Sequence, residues 1–234
     1  MTLAANQPYL LPYLAYWQLI RCADLFLLAD DYDYIRSGWV NRNRILIGGK
    51  PEYLRMEVRS NKESRLILDR QLIRNPRAVE NKLRTLEMAY HKAPCFADGY
   101  ALAERILCWP EQNLARFLEH SIREVCDYLD IHTPIGRTSD LPGNSRFKRE
   151  FRVYDFCHRL GADTYVNAIG GQGLYHFEDF ARQGIRLRFL KSGLPAYRQS
   201  GGPFVERLSI LDAIMFNTRG QLQEMLADYS FIDG

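Results

Sequence analysis

Two short apolar runs, Leu3-Ala4-Ala5 and Asp24 to Leu28, flank a stretch from Leu14 to Cys22 in which apolar residues recur at helical spacing. Strand, loop, helix and parallel strand in that order make a right-handed crossover unit, the building block of an open α/β sheet. Ligands of such sheets bind at the carboxyl ends of the strands. Here those ends carry Gln7 and the pair Asp30-Asp31, so the fold pattern itself points to a place for a site.

The rest of the chain extends this pattern. Ile45 to Ile47 and Tyr53 to Val58, around Gly48-Gly49-Lys50, predict a β-hairpin. Residues 76–129 are helical in pattern, with breaks near Ala93-Pro94 and Trp109-Pro110. A polar loop is expected over 132–145, then a helix from Lys148 to Leu160 and a strand at Thr164 to Val166. A short helix (Phe177 to Gln183), a strand (Ile185 to Leu190) and a helical end (208–216, 222–226) complete the chain. The expected fold is therefore α/β, a mainly parallel open sheet with a helical subdomain. Its parts are an N-terminal α/β portion (1–63), the helical portion (64–131) and a C-terminal portion (132–234) completing the same sheet.

Composition narrows the functional class. The 234 residues include 31 basic and 28 acidic side chains, a formal charge of +3, too balanced to argue for nucleic acid. A small anionic substrate needs only a few local arginines. The five cysteines (22, 95, 108, 126, 157) have no Cys-x-x-Cys spacing and read as reduced thiols. No pair among His91, His120, His132, His158 and His176 has a metal spacing on one helix face. With no signal-like N-terminus and no apolar run of about 20 residues, a cytoplasmic protein without a membrane span is expected.

Candidate site residues crowd into the first quarter of the chain. In Gln7-Pro8-Tyr9-Leu10-Leu11-Pro12-Tyr13-Leu14-Ala15-Tyr16, Gln7, Tyr9, Tyr13 and Tyr16 combine flat apolar faces with neutral hydroxyls that can bond phosphate. The backbone amides opening the following helix favour an anion. Tyr13, Ala15 and Tyr16 are similar in position to the His-x-Gly-His signature of nucleotidylyltransferases, so a sheet of that kind is one form the fold can take. Asp30 and Asp31 could bind a divalent metal, take a proton from an amine or orient it, accept bonds from sugar hydroxyls, or simply cap the loop and pair with Arg42 or Arg44. Oxygen ligands would suit magnesium, which makes ATP with magnesium the cofactor pair to consider, although no metal ligand set is assigned. Asn41-Arg42-Asn43-Arg44 should place its asparagines on one face and its arginines on the other. Ser139, Lys148 and Arg152 lead into a helix, with Lys148 and Arg152 expected on one face near its start. Asn167, Gly170 and Gly171, followed by Tyr175, put polar groups and close backbone approach at another strand's carboxyl end.

Taken together, these blocks resemble the WbqC-like family. The resemblance rests on Gln7 to Trp17, Asp30-Asp31, and Gly38-Trp39-Val40-Asn41-Arg42-Asn43-Arg44. It continues through Lys92-Ala93-Pro94, Thr138-Ser139, Leu160 to Asn167, Gly170-Gly171, Leu174-Tyr175 and Leu208 to Asn217. It implies a cytoplasmic bacterial protein of polysaccharide or O-antigen gene clusters, with a role as a glycine (aminoacyl) transferase acting on a sugar or nucleotide sugar. Under that implication Asp30 or Asp31 takes the amine proton, and Arg42, Lys148 and Arg152 hold phosphates. Asp31→Asn is then expected to spare the fold, and Arg152→Ala to weaken nucleotide binding more than folding. A nucleotidyl-transferring enzyme of the same pathway and a noncatalytic binding or scaffold protein are the other readings.

Overall fold

The structure is a computed structural model describing residues 1–234. The first unit forms as its pattern requires: β1 (Thr2–Asn6), α1 (Leu14–Arg21) and β2 (Leu25–Leu28), with the two strands parallel and Leu3 opposite Leu25. Four further strands join them: β5 (Ile135–Arg137), β6 (Thr164–Ala168), β7 (Arg186–Ser192) and β8 (Tyr229–Asp233). Their order is β5-β2-β1-β6-β7-β8, parallel except for the last pair. The chain thus runs outward from β1 to one edge, then returns to β6 on its other side. The order reverses between β1 and β6, the crevice where open sheets take ligands.

Both faces of the sheet are covered, which explains why its strands read as apolar runs rather than as alternation. Leu3, Leu27, Tyr165, Leu187 and Phe189 face one cluster with Val153, Phe156 and Phe180. Those last three come from α5 (Glu150–Leu160) and α6 (Phe177–Arg182). Ala4, Phe26, Leu28, Val166 and Leu190 face the other, larger cluster, which also holds Trp17 and Ile20 of α1. That cluster takes in α2 (Pro76–Tyr90), α3 (Phe96–Cys108) and α4 (Leu114–Tyr128), with α7 (Ile210–Phe216) and α8 (Arg219–Ala227). The helical stretch therefore shares its core with the N-terminal motifs. Tyr90 makes the join explicit: its hydroxyl accepts from the Leu46 amide and donates to Asp212.

The hairpin, β3 (Arg42–Ile47) and β4 (Lys50–Arg55), stands apart as a two-stranded sheet. Gly48 and Gly49 turn it at φ of 56° and 78°, values that suit glycine in a two-residue hairpin loop. Lys50 thus opens the second strand instead of belonging to the turn, and that strand ends at Arg55, not Val58.

Three more expectations need correction. The polar loop over 132–145 contains β5, an edge strand of three residues too short to show a period. The C-terminus carries β8, not helix alone, and its Arg188–Asp233 pairing belongs to the sheet edge. Finally, α5 begins at Glu150 because Arg149 has φ of 51°, outside the helical region. Lys148 therefore precedes the helix and shares no helical face with Arg152.

Candidate functional site

At the carboxyl end of β2 the two aspartates lie in a closed network. Arg152 donates to both Asp31 oxygens at 2.7 Å, and Thr138 Oγ1 donates to Oδ1 at 2.5 Å. The guanidinium also donates from Nε to Asn144 Oδ1 at 2.8 Å and stacks over Tyr32, 4.0 Å from the ring centre. Asp30 accepts from the Ser139 amide and hydroxyl at 3.1 and 2.7 Å. Burial, opposed by the Ser139 bonds, raises its carboxyl above the ordinary range. This network corrects two expectations: Asp31 pairs with Arg152 rather than with Arg42 or Arg44, and the Arg152 fork is occupied by a protein carboxylate. Nor do the aspartates form a magnesium cage, since Asp31 is taken up by Arg152 and Asp33 pairs with Arg65 at 2.8 Å. No group of three or more His, Cys, Asp or Glu side chains is placed to hold a metal ion.

The hairpin motif behaves differently on its two faces. Asn41 and Asn43 are buried while Arg42 and Arg44 are partly exposed, the alternation a strand imposes. Asn43 Nδ2 donates to the Leu10 and Leu11 carbonyls at 3.1 and 2.8 Å. It thereby pins a turn in which Leu11 has φ of 44°, a conformation that costs a branched residue free energy unless neighbours hold it. Arg42 donates to the Gly38 and Ser37 carbonyls and lies 4.5 Å from the Tyr53 ring centre.

Pinning that loop against the hairpin leaves a cavity of about 250 Å³ lined by Tyr9, Pro12, Tyr13, Trp39, Asn43 and Arg44, with Arg207 at its edge. Arg44 lines this cavity; its Nε is buried without a hydrogen-bond partner, Nη2 reaches the Arg207 carbonyl at 3.5 Å, and its guanidinium lies 5.7 Å from the Trp39 ring centre. Burial raises the Tyr9 and Tyr13 phenols, with Arg207 opposing at Tyr13, so both hydroxyls are neutral donors near pH 7. The cavity brings three separate stretches of the chain together and presents two cations, hydroxyls and an aromatic face at one point.

The remaining candidates sit elsewhere. Tyr16 is buried between Trp17 and Phe26 and donates to the Gln7 carbonyl. Gln7 Nε2 donates to the Asp33 carbonyl at 3.3 Å. Asn41 lines a different groove, and Lys148 is exposed. Asn167 accepts from the Ala168 amide and packs so closely on Gly171 that a Cβ there would lie 2.3 Å from its Nδ2. Gly170 has open space around it, and Tyr175 packs edge-on against Tyr165 and Phe180. Sequence reasoning missed Trp39, Pro12 and Arg207 as lining residues. The first two lie inside the quoted motifs, whereas Arg207 had no signal beyond preceding the Leu208–Asn217 block. It also missed Thr138 and Asn144, whose roles appear only once Arg152 is placed. Burial pushes the Cys126 and Cys157 thiols up to about 12, which leaves them poor nucleophiles.

The WbqC-like protein family matches residues 7–224, which contain every residue of the aspartate network and of the Arg44 cavity. This chain belongs to the WbqC-like family. Among curated proteins, this WbqC-like chain is 27% identical over 225 residues to the uncharacterized protein Rv1507c of Mycobacterium tuberculosis, covering 95% of this chain and 96% of the relative. No solved structure matches it. No helix is long and apolar enough to cross a membrane.

Proposed function

We propose that the Tyr9–Trp39–Arg44 cavity binds a nucleotide sugar, and that the protein passes an aminoacyl group, glycine in the simplest case, to an amine of that sugar in bacterial polysaccharide or O-antigen assembly. The observation that carries the binding half is Arg44. A buried guanidinium N–H without an acceptor is costly, and a phosphate oxygen would satisfy it in the planar geometry arginine favours. Arg207 adds a second cation, Tyr9 and Tyr13 add hydroxyl donors, and Trp39, 42% exposed, offers a face for stacking. In the proposed pose the cavity of about 250 Å³ would take the diphosphate, with the base against Trp39.

The transfer step is our own reading, joined to that pose by the role that the family resemblance implies. An amino acid activated by ATP as an acyl phosphate or adenylate presents its carbonyl carbon to the sugar's amine. The new C–N bond forms, the C–O bond to phosphorus breaks, and the amine's proton leaves with the phosphate. Arg44 and Arg207, by holding the sugar's diphosphate, would fix the position of its amine toward that carbonyl carbon, a positioning contribution to the rate. One observation favours a second reading, a noncatalytic ligand-binding protein of the same pathway: no carboxylate, thiol or serine lines the cavity.

Calorimetry with nucleotide diphosphate sugars, on wild type, Arg44→Ala and Tyr13→Phe, tests the binding. Mass spectrometry after incubation with ATP, glycine and a nucleotide amino sugar tests the transfer. Binding weakened about tenfold or more in Arg44→Ala (about 1.4 kcal/mol), together with a glycyl mass gain, supports the transferase. Binding without the mass gain supports the ligand-binding reading. Equal affinity in all three proteins overturns both.

A further inference from the structure

A second basic site lies in another groove beside the hairpin. Arg36, Arg55, Arg59 and Arg70 line a depression of about 580 Å³, within the range of small-molecule sites. None of the four forms an ion pair. The single carboxylate in the lining, Glu57, is already held by Lys82 at 2.9 Å. Four guanidiniums thus line one groove with no ion-pair partner, three of them exposed, and like charges gathered this way favour an anion between them.

Two buried polar atoms sharpen the point. Arg70 is 8% exposed; one terminal nitrogen donates to the Asn61 carbonyl, but Nε has no partner. Asn41 is 5% exposed; Nδ2 donates to the Met56 carbonyl, but Oδ1 has no partner. A missing acceptor at Arg70 and a missing donor at Asn41 describe a ligand with anionic oxygens and a hydroxyl. Tyr34, whose ring centre lies 5.1 Å from the Arg70 guanidinium, marks where the charges meet. Burial raises its phenol, and Arg70, Arg36, Arg55 and Arg42 all pull it back down.

We propose that the Arg36–Arg55–Arg59–Arg70 groove binds the pyrophosphate group of a phosphate ester, as a second anion site distinct from the Arg44 cavity. Several arginine forks match the several oxygens of a diphosphate better than a single carboxylate. A nucleic-acid backbone fits less well, because the whole chain carries only +3 and no long basic stripe is required to explain a groove of this size.

Inorganic pyrophosphate and ADP are the probes, read by calorimetry and by the shift in unfolding temperature. Arg55 and Arg59 are exposed, so R55A/R59A is expected to fold. It should bind pyrophosphate about tenfold or more weakly, and the charge-conserving R55K/R59K should recover part of the loss. Without ligand, R55A/R59A should unfold at or above the wild-type temperature, because it relieves repulsion; a purely structural role predicts the reverse. ADP binding more tightly than inorganic pyrophosphate supports an ester with a hydroxyl near Asn41, and equal or weaker binding of ADP overturns the ester assignment. Binding that survives R55A/R59A but is lost in R44A overturns this proposal while leaving the Arg44 cavity intact. No pyrophosphate binding at millimolar concentration, or preferential binding of an oligonucleotide, also overturns it.

Discussion

Asp31→Asn removes the anionic member of the buried Asp31–Arg152 pair and is expected to destabilise the fold. By sequence the change keeps shape and removes a charge that could act in catalysis, so folding should survive. In the structure Asp31 and Arg152 are 9% and 8% exposed at the side chain, with two bonds of 2.7 Å between them. With charge centres about 4 Å apart and an effective dielectric near 20, their attraction is about 4 kcal/mol. Breaking a buried pair by removing one partner typically costs about 3–5 kcal/mol, because the other charge is left uncompensated. Asparagine retains one oxygen to accept from Arg152, so about 3 kcal/mol is expected for Asp31→Asn. Arg152→Ala should cost more, since it also gives up the Asn144 bond and the contact with Tyr32. For a chain of this size each kcal/mol moves the unfolding temperature by about 2–4 °C, so Asp31→Asn should unfold about 6–12 °C lower. Urea unfolding, followed by circular dichroism and by fluorescence of the three tryptophans, measures this directly. Replacing both members together (Asp31→Leu with Arg152→Met) should recover much of the loss, since the stranded charge is gone. Asp31→Asn within about 1 kcal/mol of wild type, or a double variant no better than the worse single one, would refute the assignment of this pair to the fold.

Two further outcomes follow from buried polar groups. Asp212 accepts from Tyr90, Tyr197 and Gln199, and burial, against those bonds, raises its carboxyl above the ordinary range. Between the unfolded and folded values the native state binds the extra proton, so stability should fall as pH rises through that window and recover as pH is lowered. Unfolding temperatures from pH 4 upward, with a flatter profile in Asp212→Asn, check the sign. Asn43→Ala removes both bonds to the Leu10–Leu11 turn and strands the buried Leu10 carbonyl, while the Leu11 carbonyl keeps the Ser209 hydroxyl, at a cost of about 1–3 kcal/mol. It should weaken ligand binding in the Arg44 cavity as well, because the turn forms one wall; denaturation and calorimetry on the same protein report both effects.

Local pattern was enough to establish the crossover unit, the helical middle and its breaks at Ala93-Pro94 and Trp109-Pro110, because periodicity and punctuation are properties of neighbouring residues. It also determined that Asn41 and Asn43 would share a face, since a strand's alternation admits no other arrangement. What the sequence could not determine was partnership. Arg152 is 121 residues from Asp31, and nothing in its neighbourhood distinguishes a phosphate-binding arginine from one buried against a carboxylate. The same holds for Lys148, assigned to a helix whose start depended on the backbone of Arg149, and for β5, recognised as a strand only when β2 is beside it. Arg207 joined the cavity, and Arg70 joined Arg36, only through folding. Residue types and local spacing are written along the chain, whereas counter-charges, buried acceptors and cavity walls depend on contacts between distant segments, which only tertiary structure creates.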